Sequence, residues 1–144
     1  MGSIATWSLV VLWSIAGLGT SVLQTPPART VWDGVYTTEQ AKRGEPLYGQ
    51  HCSSCHGAVL EGGEMAPPLA GGAFNANWNG LSVGDLFERT RISMPQNRPG
   101  GLSRPQYTDI IAFMLSSGTF PSGETELPRE TENLKQIAFQ STKP

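Results

Sequence analysis

The stretch Cys52-Ser53-Ser54-Cys55-His56 contains both cysteines of a 144-residue chain. A C-x-x-C-H run is the attachment signature of c-type haem. Two thiols three residues apart on one helical turn can each add to a haem vinyl group. The histidine that follows is then set beneath the iron as an axial ligand. Other uses of the pair fit less well. A structural zinc site usually needs four Cys or His ligands, and the chain has no further cysteine. A thioredoxin-like dithiol expects a βαβ setting, whereas the flanks here read as helix and loop. A plain Cys52–Cys55 disulfide is the remaining alternative. The motif predicts one haem c, covalently bound through Cys52 and Cys55, with His56 as the proximal ligand.

A six-coordinate electron-transfer iron takes a second axial ligand, Met or His. Met65, Met94 and Met114 follow the motif. Met65 comes soon after His56, in a loop that has not yet turned around the haem. Met114 falls on the apolar face of the last long helix, where core packing is the plainer role. Met94 follows a helix, precedes Pro95, and lies far enough along the chain to cross the open haem face. His51 is on the attachment side. Met94 is therefore the expected distal ligand.

The flanking sequence reads as short helices joined by glycine and proline loops. Thr37 or Thr38 can cap a helix over 39–50, with Pro46 as an expected kink. Ser82 with Asp85 resembles a capping box for a helix over 83–92, which puts Val83, Leu86, Phe87 and Ile92 on or near one face. Ser103 with Gln106 forms a second box for Arg104–Ser117. There Tyr107, Ile110, Ile111, Met114 and Leu115 recur at helical spacing, and Gly118 is the expected stop. Residues 57–80 read as loop, and no alternating strand pattern is visible. In the polar tail, Leu127, Leu134, Ile137 and Phe139 are expected to pack back onto the domain. Trp78 has two readings, an indole donor to a haem propionate or a partly buried core aromatic. Arg89, Arg91, Arg98 and Arg104 cluster around Met94. A solvated mixed face is the first reading, a propionate partner or docking patch the second.

Residues 2–28 carry no charged side chain, and Ile4 to Leu23 is largely apolar. Residues 1–24 are read as a secretory signal peptide or an N-terminal membrane anchor, with a buried helix as the plain alternative. The first two place the rest of the chain outside the cytoplasmic membrane. Residues 25–36 are read as a linker, 37–118 as the haem domain and 119–144 as a C-terminal extension. A net charge of −2 argues against nucleic acid as the main partner. A charged fraction of only 15% argues against wholesale disorder.

The run Ala41-Lys42-Arg43-Gly44-Glu45-Pro46-Leu47-Tyr48, the motif Cys52–His56-Gly57, then Pro67-Pro68-Leu69, Met94-Pro95 and Tyr107–Phe113 together resemble a class I c-type monohaem cytochrome. The resemblance covers about residues 36–118. It implies an all-α cytochrome c fold, with short helices and long Gly/Pro loops around the haem. Cys52 and Cys55 would carry the thioethers and His56 would be the proximal ligand. The carbonyl of Pro67 or Pro68 would accept the His56 Nδ1 proton, Leu69 would pack on the haem, and Met94 would be the distal ligand. Gly44 would let the first helix cross the last one closely, against Tyr107 or Ile111. The stretches outside the minimal domain resemble extensions of bacterial cytochromes found beside membrane or periplasmic dehydrogenases and oxidases. The implied function is a one-electron carrier rather than an enzyme. Its donor would be a dehydrogenase and its acceptor an oxidase or another cytochrome, in the periplasm. The alternatives are a haem subunit of a dehydrogenase or oxidase complex, and a haem protein with a labile distal site.

Overall fold

A computed structural model describes residue 2 and residues 29–144. The expected leader, residues 1–24, lies outside the described residues except for residue 2. The elements run β1 (Arg29–Thr30), α1 (Thr38–His51), α2 (Ser53–His56), α3 (Gly71–Trp78), α4 (Val83–Ser93), α5 (Arg104–Ser117), α6 (Thr131–Leu134) and β2 (Ile137–Ala138). The fold is all-α, and among the described residues one two-residue parallel ladder pairs Arg29 with Ile137 and Thr30 with Ala138. Among the described residues, no helix is long and apolar enough to cross a membrane.

The helix starts follow from local chemistry. The Thr37 side chain accepts from the Gln40 N–H and opens α1, which continues through Pro46. Both expected capping boxes are present, Ser82 with Asp85 on α4 and Ser103 with Gln106 on α5. Each satisfies two backbone donors that a helix start leaves open. At the end of α5 the Phe120 N–H donates to the Leu115 carbonyl and the Thr119 N–H to the Ser116 carbonyl. This is a Schellman arrangement, and it puts the left-handed residue one place beyond Gly118, at Thr119 with φ 65°. The buried Phe120 holds it there.

α1 packs most extensively on α5. Gly44 makes this crossing possible, because a Cβ there would collide with the backbone carbonyl of Asp109. The close approach is thus to Asp109, between the expected positions Tyr107 and Ile111. Arg43 reinforces it with two bonds to the Asp109 carboxylate, both at 3.1 Å. Tyr48 and Ala41 on α1 and Tyr107, Ile110, Ile111 and Leu115 on α5 are buried in the same core.

Four expectations need correction. Residues 57–80 are not all loop, because α3 forms over Gly71–Trp78. Its Gly and Asn residues are weak helix formers, and the helix is held through the buried Phe74 instead. The linker does not extend to 36, because Val31, Val35 and Tyr36 are buried core residues. Ile92 leaves the apolar face and is 61% exposed. It follows Val83 by about two and a half helical turns, which puts it on the opposite side. The β1–β2 ladder was invisible because two residues cannot show alternation.

The C-terminal extension packs on the domain, with Leu127, Leu134, Ile137 and Phe139 all buried. The Gln40 side chain, itself buried, accepts from the Leu127 N–H at 2.8 Å and donates to its carbonyl at 3.4 Å. Arg104 donates to the Arg129 carbonyl and to Thr131 Oγ1, both at 2.7 Å.

Candidate functional site

α1 ends at Cys52, and α2 starts a separate turn there. The His56 N–H donates to the Cys52 carbonyl at 3.0 Å. The motif is therefore one tight helical turn. Cys52 is half-buried, Cys55 is exposed, and the two are free thiols. Burial first, then the neighbouring Cys55, pushes the Cys52 thiol up to about 11. Exchange-active dithiols have lowered values, so the direction at Cys52 is opposite to the one a redox pair uses.

The loop after the motif is folded back by backbone bonds. The Gly62 N–H donates to the His56 carbonyl (2.8 Å), Gly63 N–H to the Ala66 carbonyl (2.9 Å) and Leu69 N–H to the Leu60 carbonyl (2.9 Å). Tyr48 Oη donates to the Gly57 carbonyl at 2.6 Å and ties the loop to α1. His56 is buried, and its Nδ1 lies 2.7 Å from the Pro67 carbonyl. A carbonyl only accepts, so Nδ1 carries the proton and Nε2 keeps its lone pair.

A cleft of about 670 Å³ opens beside this histidine, a size that suits a bound cofactor. Cys52, Cys55 and His56 line one part of it, Pro67, Pro68 and Leu69 another, and Trp78 and Met94 a third. All eight residues singled out in the sequence thus meet at one cavity. The two thiols and the free Nε2 are the donor set a covalent haem needs, so the residues present fit that group.

The cleft also receives Met65 and Met114. Met65 is 88% exposed, and Met114 is buried on α5. Met94 is the C-cap of α4 in extended backbone, and its N–H donates to the Thr90 carbonyl. Its own carbonyl accepts from Tyr107 Oη at 2.7 Å. The sequence reading placed Tyr107 in the core and missed this bond. The available signal was its phenol, because a buried tyrosine hydroxyl needs a partner. Phe74 also lines the cleft and was not identified as a site residue in the sequence, and Arg89 is the member of the arginine cluster that lines it. Of the arginine cluster, Arg91 pairs with Glu88, and Arg104 lies over the Phe87 ring at 4.6 Å.

A single-turn C-x-x-C-H motif, a histidine oriented by a proline carbonyl, and crossed terminal helices define a class I c-type monohaem cytochrome. The family model described as cytochrome c oxidase, cbb3-type, subunit III matches residues 39–114, and the chain belongs to that family. Among solved structures it is similar to the sulfane dehydrogenase SoxCD from Paracoccus pantotrophus. The TM-score is 0.52 at 23% identity, over 85% of this chain and 68% of that one, a likeness of fold. No curated protein matches.

Proposed function

We propose that the protein is a one-electron carrier whose single haem c is bound by Cys52 and Cys55 and ligated by His56 and Met94. The observation that carries this reading is the convergence of both thiols, the oriented His56 and Met94 on one cleft. The haem supplies a one-electron couple at its iron. His56 presents Nε2 because Pro67 holds its Nδ1 proton. Met65 belongs to the exposed loop tied back onto His56, while Met114 is packed in the core. Met94 sits outside both, at the end of α4. His56 and Met94 together would hold the iron and leave it a one-electron role. Leu69 would pack on the cofactor, with Trp78 and Pro68 completing the walls.

The leader, residues 1–24, directs export, and the domain works outside the cytoplasmic membrane with redox proteins as donor and acceptor. The name of the structural neighbour, a dehydrogenase, favours a dehydrogenase as donor. A second reading, a haem subunit held in such a complex, rests on that name and on the family description.

Met94→Ala tests the ligand set. The variant should lose the weak far-red sulfur-to-iron band, bind carbon monoxide and show a lower potential. Met65→Ala and Met114→Ala should keep the band. Carbon monoxide binding by the unmutated protein would overturn the closed-carrier reading.

A further inference from the structure

The segment after α6 runs along the outside of the cleft wall. Phe139 N–H donates to the Leu81 carbonyl at 2.8 Å, and Gly80 N–H donates to the Phe139 carbonyl at 2.9 Å. Ser141 N–H donates to Asn79 Oδ1 at 2.9 Å, and Ala138 bridges to Ser82. The turn between α3 and α4 is therefore stitched to the tail on both of its sides. The Phe139 ring is fully buried and meets Phe74 edge to face at 5.7 Å. Phe74 packs on Trp78 at 6.2 Å. Phe74, Trp78 and Leu81 line the cleft, whereas Phe139 stands directly behind them.

α3 cannot hold this wall by itself. It is eight residues long, rich in Gly and Asn, and opens at Ala70 with no side-chain cap. Such a helix is marginal without tertiary support. Phe139 supplies that support from the far side of Phe74.

We propose that Phe139 is a positioning residue for the haem. It holds the Phe74–Trp78 face of α3 against the cleft and keeps water from entering between α3 and α4. The potential of a haem depends on its exposure to solvent. Water in the cleft favours the more positively charged oxidised iron, so loosening the wall lowers the potential. The proposal rests on the haem occupying this cleft, and a haemochrome spectrum reports haem content separately from the effect at issue.

The test compares Phe139→Ala, Phe139→Leu and Leu127→Ala in the full-length holoprotein. Leu127 belongs to the same extension and is equally buried, but it is clamped by Gln40 near the start of α1, the end of that helix remote from Cys52. All three variants should unfold at lower denaturant concentration. Phe139→Ala should also lower the midpoint potential, and Phe139→Leu should restore it partly. Leu127→Ala should leave the potential at the unmutated value. Should Phe139→Ala fail to accumulate as holoprotein, the comparison of Phe139→Leu with Leu127→Ala carries the same test. Equal potentials in the Phe139 and Leu127 variants, with normal haem content, would overturn the proposal and leave the tail a purely structural clamp. Absence of covalently bound haem from the unmutated protein would instead count against the assignment of the cleft.

Discussion

The two sides of this domain are held by different balances of the same bonds, backbone groups dominating on one and side chains carrying more of the load on the other. Beside His56 the loop is closed chiefly by backbone groups, from Gly62, Gly63, Leu69 and the Pro67 carbonyl, with Tyr48 Oη as a side-chain tie. Around the chain ends, backbone bonds such as Val31 N–H to the Ala138 carbonyl and Phe139 N–H to the Leu81 carbonyl are joined by a set of side chains that reach backbone. Gln40 holds Leu127, Arg104 holds Arg129, Trp32 Nε1 donates to Gln140 and Tyr36 Oη donates to Phe120. A geometry made by backbone groups tolerates most side-chain changes. A geometry made by side chains can be cut one bond at a time, and it responds to pH where a member titrates.

The largest effect is expected where the two sides share a support, at the α1–α5 crossing. Gly44→Val places a branched side chain into the Asp109 carbonyl. The helices must separate, and the loss should reach about 3 kcal/mol or more. Urea unfolding of the holoprotein measures it, together with a disturbed haem spectrum. Next is Gln40→Leu, which strands the buried N–H and carbonyl of Leu127. A cost of about 2 kcal/mol or more is expected, with visible absorption unchanged. A spectral change would mean that the two sides are coupled more tightly than their bonding implies.

Tyr107→Phe removes one hydroxyl from the cleft side and leaves the Met94 carbonyl without its donor. About 1 kcal/mol is expected, read as an earlier loss of the far-red band on raising the pH, with little change in global stability. The smallest effect lies at Glu88. Its hydrogen bond from Arg91, and then that with Thr131, hold its carboxyl below the usual glutamate range. A lowered folded value means that its contribution is present above the ordinary range and lost as pH falls through the folded value. Glu88 is partly exposed, so the contribution should stay under about 1 kcal/mol. Unfolding midpoints of Glu88→Gln and the unmutated protein should converge in acid and separate at neutral pH.

Much of the fold was legible because its signals are local. Capping boxes, the helical spacing on α5 and the C-x-x-C-H turn each lie within a few residues. α3 was missed because it depends on Phe139, which is distant in sequence. The pairing of 29–30 with 137–138 was missed because its partners are distant in sequence and two residues are too few to show alternation. At the site, all eight expected residues line the cleft because each belongs to a local motif or to the resemblance. Tyr107 and Phe74 went unrecognised as site residues because their part in the site comes from folding and not from a motif. Ile92 misled because its distance from Val83 is half a turn out of phase.

The tautomer of His56 is fixed by a main-chain carbonyl, which has consequences for how the protein tolerates mutation. No replacement of the proline side chain deletes that acceptor, so a scan of position 67 would register little of its importance. The vulnerable position lies upstream, at Gly62. It has φ 78°, and a Cβ there would come within 2.6 Å of the Pro68 nitrogen and 2.8 Å of the Pro67 carbonyl carbon. Any side chain at 62 presses on the peptide that orients the imidazole, although that side chain touches neither histidine nor iron. Selection on the histidine's orientation therefore falls on a glycine that carries no chemistry of its own.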